Sequence, residues 1–284
     1  MGCSSSSAVK PVSASVATLL DAGKSKSLGS FQVALIVDPK DARLDEVRDV
    51  LARSFAGTTE AAPDSATGWV YDCTVEIGKP LETLSEARVK RFAWLAKYMV
   101  QFAMIRNGVF ALLDTEGKVV AAAVVVLPGA PTAEVGCEQM SILNKVGMPP
   151  PAGDNGAACG GADSRDGKLA NAMGRLHKAH APTSLPHMYI YCLGVPPEEQ
   201  SKGCGSALLG WIGEAADADG VAVWTETAGA ENEAFYSSKE GFTVKGREAV
   251  VAKGNAKKGE QDSTLELLGI LRPAPLPVAA PLSS

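Results

Sequence analysis

Apolar positions along this chain follow two periods, one of strands and one of helices, and their order predicts most of the elements. FQVALIV (31 to 37) is a short apolar run that reads as a buried strand. Behind it Leu44, Val47, Leu51 and Phe55 recur at the spacing of one helix face. A longer helix follows the capping-box pattern Thr83-x-x-Glu86, with Leu84, Phe92, Leu95, Met99, Phe102 and Ala103 turned to the core. FALLD (110 to 114) and VVAAAVVVL (119 to 127) flank Thr115–Glu116–Gly117–Lys118 and predict a hairpin of buried strands. A Pro/Gly-rich stretch from Pro128 to Lys168 contains MPPPAGDNGAACGGAD and reads as a disordered insertion or, alternatively, a lid. A helical pattern follows over 168 to 180, and STLELLGIL (263 to 271) is the final strand.

The densest patterning lies between residues 187 and 242. The strand YIYCLGV leads into a turn with Gln200, Gly203 and Gly205, then a helix whose Leu208, Trp211, Ile212 and Ala215 share one face. A second strand, VAVWTET, and a helix carrying Asn232 and Tyr236 complete it. A Q-x-x-G-x-G turn that opens a helix suits an anion. The first helical N–H groups have no intrahelical partner, and the aligned peptide dipoles place positive charge there. Glycine at 203 and 205 lets phosphate oxygens approach the main chain, and Lys202 can add a formal charge. A Walker loop, G-x-x-x-x-G-K-S/T, does not occur, and a dinucleotide fingerprint read from Gly203 fails at Leu208, where its third glycine belongs.

Taken in order, these strands, the turn, the helix, Asn232, Phe235–Tyr236 and Gly241–Phe242 resemble the GNAT superfamily of acetyl-CoA-dependent N-acetyltransferases. Within it the chain looks most like the puromycin-acetyltransferase-like branch. The close resemblance covers about 190 to 245, with a weaker extension over about 31 to 127. It implies an α/β (α+β) fold: a central mixed, mostly antiparallel twisted sheet with a splayed strand pair, flanked by helices on both faces. It also implies acetyl transfer from acetyl-CoA directly to a primary amine of a small molecule, through a ternary complex. The alternatives are a protein or peptide acceptor, and a membrane-tethered CoA-binding module without turnover. The presence of Asn232 and Tyr236 favours turnover.

By the same resemblance Leu193, Gly194 and Val195 occupy the splayed strand, where an N–H near Leu193 would polarise the thioester oxygen. Residues Gln200, Ser201, Lys202, Gly203, Cys204, Gly205 and Ser206 make up the pyrophosphate turn, and Asn232 matches the asparagine that contacts the CoA arm. Tyr236 matches the tyrosine placed to protonate the departing thiolate. The attacking amine must be neutral, and Glu226 is the first candidate base, with hydrogen bonding or substrate orientation as its other reading. Tyr191 and Glu138 are weaker candidates, and Tyr191 reads by default as core packing. Cys204 either has a thiol activated by the helix N-terminus or is a small residue that fits the turn.

Composition adds bounds. The 284 residues, 46% hydrophobic and 21% charged, suit one elaborated domain over 31 to 272, with tails at 1 to 30 and 273 to 284. A net charge of −5 and the lack of a basic aromatic stripe argue against a nucleic-acid partner. Six cysteines without a C-x-x-C pair predict free thiols in a reduced compartment. His177 and His180 lie three apart on a helix and read as a solvated face rather than a metal site. Met1-Gly2-Cys3-Ser4-Ser5-Ser6 fits M-G-x-x-x-S/T, so Gly2 is a candidate for myristoylation and Cys3 for palmitoylation, which would place the protein on the cytosolic face of a membrane. The Ser/Ala-rich tail reads alternatively as a transit peptide, plastid or other, or as an inert cytosolic tail. Oligomeric state and acyl-chain preference have no sequence signal.

Overall fold

The computed structural model describes residues 29–71, 79–106, 109–128, 135–150, 164–252 and 262–275, without the side chains of 135–139. Among the described residues seven strands form one sheet: β1 (Gln32–Ile36), β2 (Val109–Leu113), β3 (Val119–Val126), β4 (His187–Gly194), β5 (Ala222–Ala228), β6 (Thr243–Ala252) and β7 (Ser263–Arg272). Their order is β1-β2-β3-β4-β5-β7-β6, and every pairing is antiparallel except β4 with β5. The helices are α1 (Arg43–Ala56), α2 (Ser65–Tyr71), α3 (Glu86–Ile105), α4 (Val135–Val146), α5 (Arg165–His180), α6 (Cys204–Asp219) and α7 (Ala230–Ser237).

Period-two burial distributes the strand side chains between three cores. On one face, Phe110, Ala123, Met188, Ile190 and Ile270 pack with Leu208, Trp211 and Ile212 of α6 and with Tyr236 of α7. On the other, α1 and α3 cover the β1–β4 half through Leu44, Val47, Leu51, Ala96, Met99 and Ala103. There α2 and α5 cover the β5–β7–β6 half, packing Trp69, Ala172 and Leu176 on Trp224, Val250 and Leu265. Strands β2 and β3 are buried almost throughout, which is why they read as unbroken apolar runs.

Three sequence expectations change. The cap of α3 is Ser85, whose hydroxyl accepts the Arg88 N–H at 3.2 Å, so the helix starts later than Thr83 and Leu84 is left exposed. The 128–168 stretch is not loop throughout: α4 occupies its middle and contacts α3. His177 is turned inward, whereas His180 is exposed. Gly2, Cys3 and the proline-rich tail beyond 275 lie outside the described residues. Among the described residues no helix is long and apolar enough to cross a membrane.

Candidate active site

The sheet opens at its one parallel junction. Strands β4 and β5 pair from His187↔Ala222 to Ile190↔Thr225 and then part. Beyond that point β4 stays with β3, and β5 stays with β7. The parting coincides with an irregularity in β4: Ile190 pairs with Val125 and Cys192 with Val124, so Tyr191 is the extra residue of a bulge. The bulge interrupts alternation, and Tyr191 and Cys192 both pack on the α1/α3 side while Leu193 returns to the α6 side. The Thr225 hydroxyl donates to the Ile190 carbonyl at 3.0 Å and closes the last paired rung.

At the end of β4 the chain makes a short 3₁₀ turn, Pro197–Glu199, and enters α6. Ser201 and Gly203 both have positive φ, 61° and 86°, and Gly203 is the left-handed N-cap. A left-handed cap without a capping side chain leaves the first N–H groups of α6 for an external acceptor. Gly205 follows in a crowded place: a Cβ there would lie 3.3 Å from Val195 Cγ2 and 3.4 Å from Phe235 Cζ. Gln200 donates its side-chain amide to the Val195 carbonyl at 3.1 Å, bracing the turn against β4. Lys202 is paired with Glu199 at 3.1 Å, so its charge is shared rather than free.

A cavity of about 550 Å³ crosses the split. From α7 it is lined by Asn232, Phe235 and Tyr236, and from the strands by Tyr191, Cys192, Leu193, Thr225 and Glu226. Its far wall is Tyr71, Trp94, Tyr98, Leu143 and Met148, with the carboxylates of Asp64 and Asp166. Phe235 joins the α6 turn to this cavity by touching both.

No protein-family model matches the chain, and no curated relative does. Solved structures do. That of histone acetyltransferase HPA2 and related acetyltransferase from Corynebacterium glutamicum superimposes with a TM-score of 0.50 at 18% identity, covering 88% of this chain and 99% of that one. Arylalkylamine N-acetyltransferase 2 from Aedes aegypti gives 0.53 at 15% identity, over 86% and 98%. The fold is that of the GNAT N-acetyltransferases. The sheet with its parted strands and helices on both faces matches what the sequence resemblance implied.

Within this GNAT fold the Glu226 side chain is fully buried, at 0% exposure. Its Oε1 accepts the indole N–H of Trp224 and lies 3.3 Å from His177 Nδ1. Among the described residues its Oε2 has no hydrogen-bond partner, a costly state for a buried carboxylate oxygen, and Glu226 is one of the residues that line the cavity. Asp64, which the sequence did not single out, accepts the Thr67 N–H at 3.0 Å and the Asn232 amide at 3.3 Å. Burial nonetheless wins and raises the Asp64 pKa above the ordinary carboxylate value. The Asn232 NH₂ also donates to the Ala228 carbonyl at 2.9 Å.

Tyr236 is 7% exposed, and burial raises its phenol pKa while the Thr225 hydroxyl pulls weakly the other way. Tyr191 lines the cavity and stacks on Phe102 at 4.7 Å, so it is cavity wall as well as core. Burial also raises its pKa, and pushes the free Cys192 thiol up to about 12. Cys204 is 1% exposed, and burial raises its thiol pKa with the Glu199 charge adding to the effect. Of its two readings, burial and the raised pKa fit the small residue of the turn better than an activated thiol. Glu138 lies on α4, at a position whose side chain is outside the described ones.

Proposed function

We propose that the protein is an acetyl-CoA-dependent N-acetyltransferase that moves acetyl directly onto the primary amine of a small molecule in a ternary complex. One observation supports this above the others. Phe235 lines the cavity and also stands against Gly205 of the main-chain anion turn, and Glu226, with a carboxylate oxygen that has no partner among the described residues, lines the same cavity across the split.

In this reading the α6 turn, Ser201 to Ser206, holds the pyrophosphate through main-chain N–H groups. Gly203 supplies the left-handed cap and Gly205 the close packing. Asn232, with its NH₂ taken by Asp64 and Ala228, offers its carbonyl oxygen to an amide of the CoA arm. A backbone N–H of the unpaired end of β4, near Leu193, polarises the thioester carbonyl. The acceptor ammonium meets the Glu226 carboxylate. After proton loss the nitrogen adds to the acetyl carbon. Tyr236 keeps its proton at neutral pH and donates a hydrogen bond to the departing sulfur. Aromatic residues Tyr71, Trp94 and Tyr98 beside carboxylates suit a cation carried on an apolar body.

The test is thiol release from acetyl-CoA with purified full-length protein and a panel of small primary amines, with peptides as a second arm. Release with at least one small amine supports the reading. Release with peptides alone moves the acceptor to protein, and none at all despite CoA binding leaves a binding module. Acylation at Gly2 and Cys3 is a separate proposal, checked by the mass of the N-terminal peptide from eukaryotic cells. An unmodified or truncated terminus contradicts it.

A further inference from the structure

Four groups stand in a line that runs from the Leu185 carbonyl to the cavity. His187 Nδ1 is 3.1 Å from the Leu185 carbonyl oxygen. His187 Nε2 is 3.2 Å from His177 Nε2, and His177 Nδ1 is 3.3 Å from Glu226 Oε1. Exposure falls inward along the line. Residues 183–186 before His187 are exposed, His187 is half-buried, His177 is 24% exposed and Glu226 is at 0%. The His177 ring plane is set by neighbours, with Tyr189 edge-on at 4.9 Å and Trp224 at 5.9 Å.

Counting protons along the line gives it a property that no single contact has. Its two ends, a carbonyl oxygen and a carboxylate, are both acceptors. The two hydrogen bonds, from His187 to the Leu185 carbonyl and between the two rings, use the one proton that each neutral imidazole brings, and the 3.3 Å contact of His177 with Glu226 needs a third proton to become a hydrogen bond. The line is complete when it holds one more proton, and it is one proton short otherwise. It thus has a filled and a vacated state that differ by one proton, with one end at the cavity and the other near solvent. Glu226, a residue of the cavity wall, is the inner end.

We propose that His177 and His187 are a proton outlet for Glu226, carrying to solvent the proton that Glu226 takes from the acceptor amine. This rests on the acetyl-transfer reading for the origin of the proton. The balance is closed. R–NH₃⁺ and acetyl-CoA become the amide, CoA thiol and one H⁺. Of the two protons the nitrogen loses, one ends on sulfur. The other, taken on the Glu226 carboxyl, is given to His177 Nδ1 once the carboxyl turns to present it to that ring, as the Nε2 proton of His177 moves to His187 and the Nδ1 proton of His187 leaves to water. A later turn of both rings restores the line. The other groups facing the two rings are Tyr189, Trp224 and the carbonyls of Leu185 and Pro182, while Arg175 on the same helix is taken up by Glu248 of β6. Burial lowers the His187 pKa first, with His177 acting the same way, so this ring releases a proton readily.

Two measurements test the outlet, and the first does not use acetyl transfer. Nitrogen-15 histidine spectra of the full-length protein are titrated in the wild type, Glu226→Gln and His187→Gln. The proposal expects His177 and His187 to titrate as a coupled pair, with both shifted by Glu226→Gln and His177 shifted by His187→Gln. Independent titration of His177 in all three overturns it, whether or not any amine is acetylated. The second uses an amine that turns over. His177→Ala and His187→Ala are expected to lower kcat about tenfold or more, leave the KM for acetyl-CoA unchanged, and recover with added imidazole. His187→Gln, near the surface, guards against misfolding. A changed KM without imidazole rescue or any change in the pH profile assigns the rings a structural role and overturns the outlet.

Discussion

The two ends of the proposed site, the α6 turn and the cavity wall around Glu226, are built by different means. The α6 turn is made almost wholly of main chain: its positive φ angles at Ser201 and Gly203, its cap and its close packing at Gly205 come from adjacent residues, and the charge of Lys202 is already taken by Glu199. The amine end is made of side chains gathered from α2, α3, α5 and β5, with Glu226, Asp64 and His177 far apart in the chain. A backbone site can be damaged only by changing its shape, and a side-chain site can be disabled without changing it. That distinction sets what each substitution should do.

Glu226→Gln should have the largest effect, lowering kcat/KM by about 10²–10³-fold with acetyl-CoA affinity essentially unchanged. Steady-state kinetics beside calorimetry would show it, and equal loss in both would merge the two ends into one site. Gly203→Val places a branched residue at φ 86°, a strain of about 1–2 kcal/mol, and should weaken CoA binding about tenfold while lowering the melting temperature. Tyr236→Phe should reduce kcat by about tenfold and leave binding alone, because thiolate leaves with little assistance. An unchanged rate would remove Tyr236 from the chemistry.

The smallest effect is on stability. Asp64 has a raised pKa, so the folded state binds its proton more tightly than the unfolded chain does. Its contribution is fully present below the ordinary carboxylate pKa of about 3.9 and is lost as pH rises through the folded value. Relative to Asp64→Asn, the wild type should therefore lose stability between acid and neutral pH. Urea titrations at several pH values would measure this, and a constant difference across them would contradict it.

The same contrast explains what was legible. The strand, Q-x-x-G-x-G turn and helix lie in one continuous stretch, so the turn and the sheet around it could be read from local pattern, and Leu208, Trp211, Ile212 and Ala215 are all buried as their spacing required. Asp64, Tyr71, Trp94 and Tyr98 have no spacing to give them away, since only tertiary packing brings them to one wall. His177 reads as solvated because the chain has three histidines in all and no cysteine pair beside it, yet it faces Glu226. One signal was available: alternation along β4 sets His187 and Tyr189 on the face that receives Trp224 and α5. The bulge at Tyr191 was unreadable at its position because an extra residue leaves no mark in an apolar run.

The most direct test of the central claim is calorimetry of acetyl-CoA with the wild type and Gly205→Val, each checked for folding by circular dichroism. A Cβ at 205 already approaches Val195 and Phe235, so the larger side chain must displace the turn. Binding by the wild type is expected, weakened at least about tenfold, or 1.4 kcal/mol, in the variant. A folded wild type that does not bind acetyl-CoA would contradict it and leave the chain with the fold alone.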